Sequence, residues 1–535
     1  MAEGTRPVAG SFVREATGLV REVGPWSGMI FNIIWTGNAV GLTAAFVLYS
    51  FVFVSPGMNI VALILTATVL STLNAAVYMF FSLAMPRSGG DYAFISRTLH
   101  PSLGFMSGIN WALWLPLVLG WTGSQVVPIA FQSLFASYGA ISHNQALIDF
   151  TNGLFSSKDT VFAVGAIFII VFSLITLLGN RVYFLIQNIA FIFMAAAIVI
   201  TVLAFAGNAP ESYAALIDRV AGQGAYQSLL SAFSSNGGYQ PRPYATSVLS
   251  GVVLWAGINT WAMGTSLIAG EIRKAGELRT WAIANILASL SVGLLFALTA
   301  YLYFRSVGSD LIYAASYLYG TDSYKLPFPP YYSSYVILAI PNLLLFIVFA
   351  IGFFLGGIFY MPQNQILASR MFLAFSFDRL MPKKLGDVSE RFHVPVYSIL
   401  LALAISLVSL WIYVYTNWLG FFSQLFAVAF SFFVTSIAAI LFPFRRRELF
   451  ENSPANIRVA GVPVMTLLGI GNALFMALFI YENWVDSALG SNSIQSITLI
   501  TSVLAISFVA YWIIRAIRRR QGIDIDLLYR QIPPE

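Results

Sequence analysis

The ten residues IIWTGNAVGL (33–42) set two glycines, a threonine and an asparagine inside an apolar stretch long enough to cross a bilayer. Glycine frees the backbone to leave an α-helix, and asparagine can bond the amides and carbonyls so released, so a helix can unwind at membrane depth where it lines a cavity. A second stretch, VLWAGINTWAMG (253–264), carries the same theme: Trp35, Gly37 and Asn38 are echoed by Trp255, Gly257 and Asn259. The half-helix ends then face the cavity as partial charges, amides toward an anionic group and carbonyls toward a cation. A packing role competes with this, because Gly37 and Gly41 also form GxxxG, a spacing that lets membrane helices approach closely. The echo five spans later favours interruption. Trp255 and Trp261, beside the second break, are expected to line the cavity.

Outward from these stretches the chain reads as one membrane domain. Its 535 residues are 58% hydrophobic and only 9% charged, with a mean hydropathy of +0.79. Apolar runs of spanning length predict about twelve helices, near 27–54, 60–85, 104–136, 160–178, 182–206, 246–270, 279–306, 334–377, 394–415, 418–443, 461–484 and 493–518. There is no cysteine, and the three histidines (His100, His143, His393) fall in connections, so neither metal nor other cofactor is expected. The first 24 residues lack a short apolar core ending in a small-residue cleavage site and read as a retained tail.

Numbering the connections alternately puts 23 of the 28 Lys and Arg on one side, leaving only Lys158, Arg219, Arg242, Arg305 and Lys325 on the other. By the positive-inside rule the basic side is cytoplasmic, and an even number of spans puts both termini there. The net charge of +6 is therefore a topology signal, and no nucleic-acid partner is expected. The predicted division is a tail (1–25), a first five-helix repeat (26–206), an external loop (207–245), a second repeat (246–443), two further helices (444–519) and a tail (520–535). Five spans per repeat turn the second copy upside down in the membrane. The external connections after spans 3, 5 and 7 are expected to act as lids or surface covers.

Between spans 2 and 3 lies MPRSGGDYAFISR (85–97). Its proline, paired glycines and charges resist both helix and hydrocarbon, which predicts a loop at the interface. Continued through TLHPSLGFMSGINWALW, it resembles the segment joining spans 2 and 3 in the amino acid–polyamine–organocation superfamily of transporters, where a Pro-Arg-Ser-Gly-Gly-acid-Tyr run is typical. GEIRKAGELRTWAIA (270–284) resembles that family's segment after span 6. ASRMFLAFSFDRLMPKKLGDVSERFHVPVYSILL, from Ala368, resembles its link from span 8 to span 9.

The resemblance implies an all-α integral membrane protein with a 5+5 inverted repeat, broken spans 1 and 6 and two additional helices. It implies a secondary transporter, not an enzyme, moving amino acids or related amines by alternating access. The substrate carboxylate would be held at Thr36, Gly37, Asn38, Ala39, Val40 and Gly41, and its ammonium at Ala256, Gly257, Ile258, Asn259, Thr260 and Trp261. The chain departs from the family with Asn38 for a hydroxyl residue, Ala39 for a second glycine and Trp261 where glycine is usual. Arg87, Asp91 and Glu271 are the candidates for an inner gate or for coupling. The partners implied are a small-molecule substrate, the lipid bilayer and a co-transported proton.

Two devices known in such relatives are missing. Span 8 offers Gly356, Gly357 and Tyr360 where sodium-coupled relatives carry hydroxyl residues, and span 5, from Val182, has no lysine. Sodium-independent transport is expected, by exchange, which is favoured, or by proton coupling through Asp91 or Glu271. A substrate sensor or a channel on the same scaffold is the alternative, but nothing resembles a filter repeat or a ring of charges. No HExxH or Walker A motif supports an embedded enzyme or pump.

Overall fold

The computed structural model describes residues 18–37, 41–340, 342–416, 418 and 424–530. Among these, ten helices are long and apolar enough to cross a membrane. They are span 2 (Ile60–Ala84), span 3 (Pro101–Ile141), span 4 (Lys158–Leu178), span 5 (Asn180–Ala206), span 7 (Leu278–Val307), span 8 (Leu343–Phe377), span 9 (Val396–Tyr415), span 10 (Leu425–Arg445), span 11 (Val464–Val485) and span 12 (Ile494–Arg520). The other two expected crossings are the interrupted ones. Span 1 is a pair of half-helices, 1a (Pro25–Trp35) and 1b (Leu42–Val54). Span 6 is α-helical over Tyr244–Asn259 and continues as two short 3₁₀ turns, Gly264–Leu267 and Ala269–Glu271. The chain is an all-α multi-pass membrane protein.

Local chemistry sets several of the helix starts. Asn59 accepts a bond from the Ala62 amide at span 2, Ser157 from Thr160 at span 4 and Ser493 from Ser496 at span 12. Span 3 begins on Pro101, whose missing N–H costs nothing in a first turn. Spans 1 and 6 are the broken ones, and spans 3 and 8 are the longest, with 41 and 35 residues. Spans 4, 5 and 12 are mostly unburied, presenting Ile167, Ile192, Leu203 and Ile506 outward, as a surface facing acyl chains must. Spans 2, 3 and 10 form the interior.

Two expectations need revision. The stretch 85–97 is no simple interfacial loop: Gly90–Thr98 is a helix, buried throughout, folded beneath the ends of the spans. Its charges are tolerated because partners distant in sequence reach them, as described below. Gly89 and Gly90 make the entering turn, with φ of +97° and +39°. A methyl on Gly90 would come within 2.1 Å of the Leu267 side chain, so the turn seats directly on the unwound end of span 6. The Gly89 amide bonds the Leu267 carbonyl at 3.0 Å. Span 8 begins at Leu343 rather than near 334, because Tyr332–Ala339 is a separate short helix and Pro341 follows it in sequence. The connections after spans 3, 5 and 7 carry short helices of their own, at Gln145–Leu154, Pro210–Ala221, Ala225–Ser235 and Ser309–Leu318.

Candidate functional site

Half-helix 1a ends because Gly37 turns left-handed, with φ +85°, its amide held by the Ile34 carbonyl at 2.9 Å. Thr36 closes the last turn by donating its hydroxyl to the Ile33 carbonyl at 2.7 Å. Half-helix 1b starts after Gly41, where a methyl would lie 2.4 Å from the Gly356 carbonyl oxygen of span 8. The two glycines thus divide the two roles that GxxxG left open: Gly37 turns the chain and Gly41 packs it.

Between the broken spans lies a cavity of about 360 Å³. Trp35, Thr36 and Gly37 lie at one end, with Trp261 and Ile258 of span 6. Phe46 and Ser50 of 1b, Trp121 of span 3, and Tyr360 and Asn364 of span 8 form the walls. Tyr413, Leu425, Leu489 and Gly490, at the opposite end from the basic connections, line it further out. These residues set that end of the cavity on the side away from the basic connections. Toward the basic face it is shut by an aromatic triad, with Trp35 and Trp261 ring centres 5.0 Å apart and Trp111 at 6.1 and 5.6 Å from them.

Under this floor sits Asp91. It is fully buried, and the Trp111 indole N–H donates to its Oδ2 at 2.6 Å. The hydroxyls of Tyr78 and Thr435 stand beside the same carboxylate. Glu271 is equally buried but paired: Arg370 of span 8 grips it through Nε at 2.8 Å and a terminal nitrogen at 2.9 Å, and Asn180 of span 5 bonds both. No group of three His, Cys, Asp or Glu side chains that could hold a metal occurs among the described residues.

The family model for amino acid permeases matches residues 27–509. The chain belongs to the amino acid permease family. No curated protein matches it.

The permease brings together only part of the residue set expected from sequence. Thr36, Gly37, Ile258 and Trp261 line the cavity. Asn38, Ala39 and Val40 lie outside the described residues. Asn259 turns away, donating to Ser71 of span 2 at 2.7 Å and Ser289 of span 7 at 3.0 Å. Trp255 likewise stacks on Phe296 of span 7 and bonds Thr68 of span 2, so it braces the scaffold rather than lining the cavity. Gly257 faces Leu425 and Phe479, Ala256 is buried, and Gly41 packs on span 8. The Thr260 carbonyl accepts from Asn74 at 3.1 Å. The Asn259 carbonyl accepts from the Ala262 amide at 3.2 Å, and the Trp261 carbonyl accepts two amides, those of Met263 and Gly264. Arg87 precedes the helix Gly90–Thr98, with its guanidinium donating to the Pro86 carbonyl at 3.2 Å.

Sequence reading missed Asn32. Its amide nitrogen is shared among the carbonyls of Ala262 and Ala284 and the side chains of Thr265 and Asn285, and its oxygen accepts from the Thr265 amide at 2.9 Å. It also missed Asn364, which receives the Trp35 indole N–H at 3.4 Å, and it weighed Tyr360 only as a place for sodium ligands, whereas Tyr360 bonds Thr122 in a π-helical turn of span 3. Such turns often mark functional sites.

Proposed function

We propose that the permease carries neutral amino acids with apolar side chains by alternating access, coupled to protons and independent of sodium. The observation that carries this reading is the lining of the cavity: two interrupted spans, a wall of aromatic rings and, among the described residues, no Asp, Glu, Lys or Arg. A zwitterion brings both charges, and the dipoles at the two breaks are suited to meet them. The rings suit an apolar side chain. A polyamine or an acidic amino acid brings net charge that no side chain there would neutralise, and burying an unpaired ion costs several kcal/mol.

Proton coupling is supported by the position of Asp91, outside the spans and joined through Trp111 to the two tryptophans that floor the cavity. Burial pushes its carboxyl up from the ordinary aspartate value to about 7, against the opposing pull of Tyr78, Trp111, Thr435 and Ser107. None of these neighbours is a cation. The fold therefore favours the protonated form, present below about pH 7 and lost above it. Glu271 is committed to Arg370, and the contact of Gly41 with the Gly356 carbonyl fills the place where sodium ligands would be sought. With the basic face cytoplasmic, both termini lie inside the cell and the cavity faces out.

Uptake of labelled leucine and phenylalanine into proteoliposomes tests the substrate. Unlabelled apolar amino acids should compete, and arginine, glutamate and putrescine should not. An inward proton gradient should stimulate uptake and a sodium gradient should leave it unchanged. Strong stimulation by internal substrate alone would select exchange instead. For the proton site, uptake should fall as the pH on both sides of the membrane rises through about 7, and Asp91→Asn should flatten that profile. A variant that keeps the parent profile would exclude Asp91 as the titrating group.

A further inference from the structure

On the basic face, away from the substrate cavity, the end of the gate helix Gly90–Thr98, the start of span 3, the end of span 10 and the C-terminal turn Ile525–Arg530 enclose a hollow of about 450 Å³. Four arginines line it, Arg97, Arg445, Arg446 and Arg515, against one carboxylate, Asp526. Two of the four are already neutralised. Arg97 is paired with buried Asp378 at 2.7 and 3.0 Å, and Arg515 grips Asp526. Arg446 instead donates to the carbonyls of Arg97 and Tyr529, which orient its guanidinium without cancelling its charge. Neither Arg445 nor Arg446 has a carboxylate within ion-pair distance among the described residues. Burial and the neighbouring charge of Arg97 make Arg446 easier to deprotonate than an ordinary arginine, the mark of a cation that lacks its counter-ion.

The hollow also touches the lipid side of the molecule. Arg515 stacks over Trp512, with 5.3 Å from its guanidinium carbon to the ring centre, and Trp512 lies against His100 and Phe508. Phe508, Trp512 and Arg515 fall on one face of span 12, the most outward-facing span, and both aromatic side chains are exposed. An apolar track thus runs along the bilayer face and ends at a cationic recess. Guanidinium groups bind phosphate oxygens by paired, charge-assisted hydrogen bonds. Tryptophan at this depth is typical of the headgroup layer.

We infer that this recess binds a phosphate group, supplied by the headgroup of an anionic membrane lipid whose chains lie along Phe508 and Trp512. Basic recesses between helix ends on the cytoplasmic side are a recurring way of holding such headgroups. The occupant would bridge the gate helix, span 10 and the C-terminal turn, which Arg446 already joins.

The test is native mass spectrometry of the purified full-length chain, titrated with phosphatidylglycerol and with phosphatidylcholine of the same acyl chains. Phosphatidylglycerol should bind at least about tenfold more tightly, a difference of about 1.4 kcal/mol. Arg445→Gln, at an exposed position, should erase most of that preference, and so should Arg446→Gln. Lys384→Gln, an exposed cation elsewhere on the same face, should not. Equal binding of the two lipids, or a preference that survives Arg445→Gln together with Arg446→Gln, would overturn the site. Displacement by millimolar inorganic phosphate with no preference between the lipids would overturn the lipid as its source.

Discussion

Arg370→Ala is expected to cost about 3–5 kcal/mol of stability, because it strands Glu271 as an uncompensated charge in the protein interior. Both side chains are wholly buried, and the only other group on the Glu271 carboxylate among the described residues is the Asn180 amide. The two hydrogen bonds from Arg370 depend on the planar fork of the guanidinium, so Arg370→Lys should recover only part of the loss. Replacing both partners, Glu271→Gln with Arg370→Met, removes the stranded charge and should recover most of it. The measurement is the thermal midpoint of the detergent-purified protein, followed by size-exclusion chromatography. An Arg370→Ala midpoint equal to the parent's would show that the pair does not lock the fold.

Gly37→Leu should reduce uptake to background while leaving a folded protein. The left-handed backbone at Gly37 costs an L-residue about 1–2 kcal/mol, a loss that a large membrane protein can absorb. The new side chain, however, would project from a residue that lines the cavity between the broken spans. Gly41→Val should act differently and lower the folded yield itself. Its first added carbon would meet the Gly356 carbonyl, and since both groups are backbone, 1b must shift off span 8 to make room. Side-by-side measurements of folded yield and of uptake per folded molecule separate the two. Normal transport by Gly37→Leu would make that glycine a packing residue as well.

The spans were legible because runs of twenty apolar residues have few other uses, and the breaks were legible because Gly-Asn pairs are rare reasons to stop a helix at such depth. What the pattern could not fix was rotation. Asn259 and Trp255 sit beside the second break as expected, yet the helix turns both toward spans 2 and 7 and gives the cavity Ile258 and Trp261. The stretch 85–97 was misjudged for a related reason. Charge within a short segment reads as solvent exposure unless its partners are known, and the partner of Arg97 is Asp378, far along the chain. Asn32 gave no signal at all. A lone amide in an apolar helix looks the same whether it meets lipid, a neighbour or four acceptors at once.

That amide bears on how faithfully the carrier keeps its two sides apart. Half-helix 1a and the 3₁₀ end of span 6 come from opposite halves of the chain, yet Asn32 knits them, through Thr265 and Asn285, to the start of span 7. Parts that share buried hydrogen bonds separate only at the cost of leaving donors and acceptors dry, so they travel together. In the alternating access proposed above these parts would therefore move as one body, and an inner pathway that opens all at once is the simplest safeguard against a continuous leak of water and ions.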